Sequence, residues 1–150
     1  MTSEKRIFQP PTSSDVCKIY NLLYSRGLVS FPIPVEAEHK IESIIATVEQ
    51  AYFDVQRYAT IEEKAVAYLY FLIKDHPFVD GNKRTAVTFF LVYCSFNNLN
   101  PSSQDFTLDQ LAVYIERRKD EDVLLIIQLI AMLLFGKNFY NKIKKAPGAD

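Results

Sequence analysis

Apolar residues recur at helical intervals along most of the chain. Val16, Ile19, Tyr20, Leu22 and Leu23 follow Asp15 at roughly that spacing, and Gly27 stands where a helix would end, which predicts a first helix over about 15–26. Ile41, Ile44, Ile45, Val48, Tyr52 and Val55 form the inward stripe of a second, from about Ala37 to Arg57. Thr60 with Glu63 three residues on is a capping-box pattern, so a third helix is expected to run through Val66, Leu69, Tyr70 and Ile73 to about Asp75. Asn82 opens a fourth, whose stretch Ala86–Cys94 is apolar on nearly every side and predicts the central helix of the fold, with Phe89, Phe90, Tyr93 and Phe96 as core. Thr107 with Gln110 marks a short fifth helix, and the apolar run from about Glu121 to Phe135, stopped by Gly136, a last one.

Three segments break this pattern. Residues 1–14 are polar and carry Pro10-Pro11 before Thr12, Ser13 and Ser14, the composition of a loose arm. Residues 137–150, with Lys137, Lys142, Lys144 and Lys145, read as a solvated basic tail. Residues 28–35 are β-branched and aromatic but interrupted by Pro32 and Pro34, which cannot donate to a central ladder, so an extended flap or edge strand is expected there. The pattern as a whole predicts one all-α domain over 15–136, a helical bundle round a buried central helix, with one short β flap.

Composition narrows the function. A chain of 150 residues can bury a core without a metal or disulfide staple. Seventeen basic residues against eighteen acidic ones give a net charge of −1, without the broad positive field that nucleic acid or anionic lipid demands. A protein or small-molecule partner is expected instead. There is neither a signal-peptide pattern nor an apolar run that spans a bilayer, and Cys17 and Cys94 lack metal-ligand spacing, so a reduced cytoplasmic setting is expected. The four glycines, at 27, 81, 136 and 148, exclude a Gly-rich Walker loop and a dinucleotide fingerprint.

Residues 76–84 gather an imidazole, a carboxylate, a glycine, an amide and two cations between the end of one helix and the start of another. A helix start presents unsatisfied N–H groups and a partial positive charge, so this one is a natural anion site, to which Asn82, Lys83 and Arg84 would add donors. Gly81 lets the backbone approach an anion closely. Asp80 is placed to hold a Mg²⁺ that bridges phosphates. His76 carries imidazole, the side chain suited to taking a proton from a hydroxyl near neutral pH. Asp80 is equally suited to capping the helix, His39 reads as an exposed helical residue, and transfer of a phosphate-containing group is the reaction this set implies.

This segment resembles the active-site motif of the Fic/Doc family, His-x-Phe-x-Asp/Glu-Gly/Ala-Asn-Gly/Lys-Arg-x-x-Arg, at His76, Phe78, Asp80, Gly81, Asn82, Lys83 and Arg84. The resemblance implies a Fic-type helical bundle and a nucleotide triphosphate, ATP or another, as donor. It implies His76 as the base acting on a Ser, Thr or Tyr hydroxyl of a target protein, Asp80 as the Mg²⁺ ligand, and Gly81, Asn82, Lys83 and Arg84 as the nucleotide-phosphate site. Phe78 would anchor the loop in the core. It further implies that the flap, through Phe31, Ile33 and Val35, docks an extended segment of the target. Two positions depart from the AMP-transferring pattern: Val87 stands where the second arginine would be, and Lys83 where those members have glycine. The Asn-Lys-Arg-Thr-Ala stretch is closest to the Doc (death-on-curing) subgroup, which implies toxin-like protein phosphorylation by transfer of the γ-phosphate. AMP transfer and a catalytically inert interaction module stay open. No glutamate has Ser or Thr four residues before it, the spacing of the family's inhibitory helix, so an inhibitor would come in trans, from an antitoxin or another copy.

Overall fold

The computed structural model describes residues 9–119 and 122–144, the last eight by their backbone. Its elements are α1 (Ser13–Ser25), α2 (Ala37–Glu49), β1 (Ala51–Tyr52), β2 (Val55–Gln56), α3 (Ile61–Lys74), α4 (Asn82–Phe96), α5 (Leu108–Arg117) and α6 (Val123–Lys144). The expected all-α bundle is what forms, with a single two-stranded ribbon among the described residues.

Three helices start as their sequences dictate. Thr12 with Asp15, Thr60 with Glu63 and Thr107 with Gln110 each make a reciprocal capping box, satisfying backbone N–H groups that would otherwise lack partners. Thr12 thereby opens α1 at Ser13, inside the stretch read as a loose arm. The first eight residues of that arm, Glu121, Lys145 and the side chains of Lys137, Lys142 and Lys144 lie outside the described residues.

The second helix is shorter than expected. It stops at Glu49, Gln50 is extended, and β1 and β2 pair antiparallel with Ala51 opposite Gln56 and Tyr52 opposite Val55. Phe53 and Asp54 make the turn with φ of 51° and 64°, the mirror-image geometry that suits a two-residue hairpin. Tyr52 and Val55 are therefore 65% and 69% exposed rather than inward-facing. They are three residues apart and so fit a helical stripe, yet both are also good strand residues. Residues 28–35, where a flap was expected, form no strand. Pro32 and Pro34 remove two donors, and the Tyr20 hydroxyl occupies the Phe31 carbonyl.

The centre of the bundle is α3, not α4. Ten of its fourteen residues are buried, and it packs against α2, α4, α5 and α6. The alanines at 65 and 67 let those neighbours close round it. On α4, Phe89, Phe90 and Tyr93 are core as expected, but Leu91 and Phe96 are exposed. Tyr68 meets Phe89 edge-on, ring centroids 5.5 Å apart, and each such buried aromatic contributes about 1.5–3 kcal/mol. Its hydroxyl donates to Glu49 at 2.6 Å, and Glu49 also pairs with Lys64 at 2.7 Å. Glu63 serves twice, capping α3 and accepting from Gln128 of α6 at 3.1 Å. Gly136, with φ 59° and ψ −133°, interrupts α6 where a stop was expected, and helical turns resume beyond it. Among the described residues no helix is long and apolar enough to cross a membrane.

Candidate active site

The loop from 76 to 81 is held from both sides. Asp75 caps α3, its N–H donating to Phe71 O at 2.9 Å, and His76 then turns the chain with φ 46°. Phe78 is buried and lies flat on Tyr20, ring centroids 4.0 Å apart. Asn82, also buried, closes the loop: its Oδ1 accepts from the Phe78 N–H at 3.0 Å and its Nδ2 donates to the Phe78 carbonyl at 2.9 Å. Both ends of the amide thus brace the loop, while one N–H of Nδ2 is left over for a ligand, and His76 and Asp80 stand exposed on this anchored loop.

Gly81 is required at its position. Its φ of 76° is in the left-handed region, and a Cβ there would lie 2.2 Å from Cγ1 of Val29. As N-cap of α4 it brings no side-chain acceptor, and no acidic residue follows in the first turn. The N–H end of α4 is accordingly left without side-chain capping, with Lys83 and Arg84 beside it, the arrangement that favours an anion.

His76, Asp80, Gly81, Asn82, Lys83 and Arg84 all line one cavity of about 690 Å³. That volume is in the ordinary range for a cofactor-sized ligand. Its far wall comes from α5, where Asp109, Ala112, Val113 and Glu116 stand at i, i+3, i+4 and i+7, one helical face. Leu28, Val79, Val87 and Thr88 complete it. Sequence reasoning missed the α5 contribution because a helix about 30 residues downstream announces its apolar face but not its neighbour. Phe31, Ile33 and Val35 are not on this cavity: Ile33 packs on the core, and Phe31 and Val35 are exposed.

Both cations already have protein partners. Lys83 Nζ is 2.8 Å from Glu116 Oε2, and Arg84 donates to the Leu28 carbonyl at 2.9 Å. The hydrogen bond from Lys83 holds the Glu116 carboxyl below the usual range, with the charges of Lys83, His76 and Arg117 acting in the same direction. Burial raises the Asp75 carboxyl, against the pull of His76 and Lys40. Tyr20 is raised by burial first and then by the charge of Asp80. Cys94, buried in the core, is pushed up to about 12, which makes it a packing residue rather than a nucleophile.

Among the described residues, no group of three or more His, Cys, Asp or Glu side chains is placed to hold a metal ion. A cation held at Asp80 would therefore take most of its ligands from phosphate and water rather than from a cage of side chains. That is the habit of Mg²⁺, so the residues fit it.

The Fic/DOC family model matches residues 10–94, more than half of the chain. The chain belongs to the Fic/DOC family. No curated protein and no solved structure matches it. Members of the Fic/DOC family are in general transferases that move a nucleotide-derived group onto proteins, using a nucleoside triphosphate and Mg²⁺, and some are inactive. The family match ends at Cys94, so the α5 wall of the cavity belongs to the part of this Fic/DOC chain that the match does not reach.

Proposed function

We propose that this chain transfers the γ-phosphoryl group of a nucleoside triphosphate, ATP or another, to a Ser, Thr or Tyr hydroxyl of a target protein. One observation carries the choice of phosphate. The cavity has its cations, Lys83 and Arg84, at the start of α4 only, and one turn further along α4 Val87 lines the same cavity as Ala112 and Val113 of α5, its apolar part. A triphosphate tail finds donors at the first end, and a nucleoside finds packing at the second. This order brings the terminal phosphate to the loop that bears His76.

The step then balances simply. His76 accepts the proton of the target hydroxyl, the oxygen attacks the γ-phosphorus, and the bond to the β-bridging oxygen breaks, releasing the nucleoside diphosphate. The N–H groups at the start of α4, with Lys83 and Arg84, hold the charge that develops on the phosphates. Asp80 would hold Mg²⁺, which when bound would supply positive charge to offset that of the leaving diphosphate. The target's hydroxyl reaches His76 from solvent, since the imidazole is exposed. Docking of the target segment is assigned to Phe31, Ile33 and Val35, of which Phe31 and Val35 are exposed. Inhibition by a partner chain in trans, such as an antitoxin, completes the reading.

The test is labelling of target protein in lysate with nucleoside triphosphates labelled at the α or the γ position, with His76→Ala as control. Label from γ alone, lost by at least 100-fold in His76→Ala with nucleotide binding retained, is the expected result. Label from α would overturn the choice of phosphate in favour of AMP-type transfer. Label from neither, with nucleotides of all four bases, would leave an inert interaction module.

A further inference from the structure

α5 offers the cavity four positions along one face, and their order is informative. At its end Glu116 is bonded to Lys83, which fastens the end of α5 beside the start of α4. Seven residues back, at about 10 Å by the helical rise, Asp109 lines the same cavity. Between the two along α5 lie Ala112 and Val113, which line the cavity together with Val87 of α4. The groove is thus charged at one end, apolar in the middle and acidic again at the other. Asp109 is exposed to solvent and has no side-chain partner among the described residues.

We propose that this groove holds the nucleoside and that Asp109 reads the edge of its base, selecting guanine. The proposal rests on the reading of Gly81–Arg84 as the phosphate end. An ionised carboxylate only accepts hydrogen bonds, through two oxygens side by side. Guanine presents two adjacent donors, N1–H and the 2-amino group, which match that pair. Adenine and cytosine each present an amino donor beside a ring-nitrogen lone pair, which the carboxylate repels, and uracil presents one N–H between two carbonyls. A flat ring lying along the apolar stretch lined by Val87, Ala112 and Val113 would turn its edge, not its face, toward the end of the groove that holds Asp109. Asp109 also suits the first turn of α5 as a helix-dipole partner, a role that needs no ligand and makes no distinction among bases.

Equilibrium binding of GTP, ATP, CTP and UTP with Mg²⁺, measured by calorimetry on the full chain, separates the two roles. GTP is expected to bind at least tenfold tighter than the others. Asp109→Asn, which replaces one acceptor by a donor, is expected to remove that preference and bring ATP level with GTP. Arg84→Ala is expected to weaken all four alike. Equal affinity for the four bases in the wild type, or an unchanged ranking in Asp109→Asn, would overturn the role of Asp109 and leave the phosphate end standing. If none of the four binds, both readings fall together.

Discussion

The starts of α3 and α4 lie at opposite ends of one short stretch and are built on opposite rules. At the start of α3, Thr60 and Glu63 cap each other's backbone, Glu62 adds a second acid to the first turn, and both glutamates are buried. Everything a helix start asks for is supplied by the chain. At the start of α4 the cap is a glycine, the first turn has no acid, and the nearby side chains are Lys83 and Arg84. Those cations oppose the dipole and have been taken up by Glu116 and Leu28 instead. One start is finished by its own side chains; the other is left uncapped, as the proposed phosphate site requires. The cost of leaving it so is met by the Asn82 bonds to Phe78 and by Phe78 on Tyr20, which fix the loop without using the N–H end.

Substitutions at the two starts are expected to separate along this line. Gly81→Ala is the most severe, because a left-handed alanine costs about 1 kcal/mol and the methyl meets Val29 at 2.2 Å. A loss of about 2–4 kcal/mol in chemical denaturation, together with loss of nucleotide binding, is expected; an unchanged midpoint would refute the close packing. Asn82→Ala leaves the buried Phe78 N–H and carbonyl unpaired and is expected to cost about 2–3 kcal/mol, with faster exchange of the Phe78 amide against solvent deuterium. Thr60→Ala removes a cap and is expected to cost about 1 kcal/mol with nucleotide affinity unchanged. If Thr60→Ala impaired binding as much as Gly81→Ala did, the two starts would not be functionally distinct.

The smallest expected effect is at Glu116. Glu116→Gln frees Lys83, so nucleotide binding is expected to tighten a few-fold while stability changes by about 0.5 kcal/mol, the scale of a partly exposed ion pair. The sign with pH is fixed by the lowered carboxyl. The pair contributes above the ordinary glutamate range and its contribution is lost as pH falls through the depressed value. Melting curves of wild type and Glu116→Gln should therefore differ at neutral pH and converge in acid. Curves that diverge in acid would contradict the assignment.

Local signals in the sequence carried over well. The boxes at Thr60 and Thr107 mark where α3 and α5 begin, while the equivalent box at Thr12 is hidden among the prolines and serines of an apparent arm. The end of α2 was misplaced because Tyr52 and Val55 continue a helical period, and the turn at Phe53-Asp54 contains none of the glycine that usually announces a hairpin. The centrality of α3 over α4 is a matter of packing, which periodicity within one helix does not encode. In the site, every chemical group from residues 76–84 was visible, since a contiguous loop keeps its neighbours. The opposing face of α5, the close approach of Val29 and the pinning of Asn82 depend on separations that spacing along the chain does not measure.

The contact between Val29 and Gly81 also constrains how this chain can change over generations. The motif pattern admits alanine at the position of Gly81, but here the added methyl has no room until residue 29 loses one of its own branches. Trimming at 29 must precede replacement at 81. A lineage that reached alanine at 81 should therefore carry a smaller residue at 29, a dependency between two positions 52 residues apart that the order of mutational steps would record.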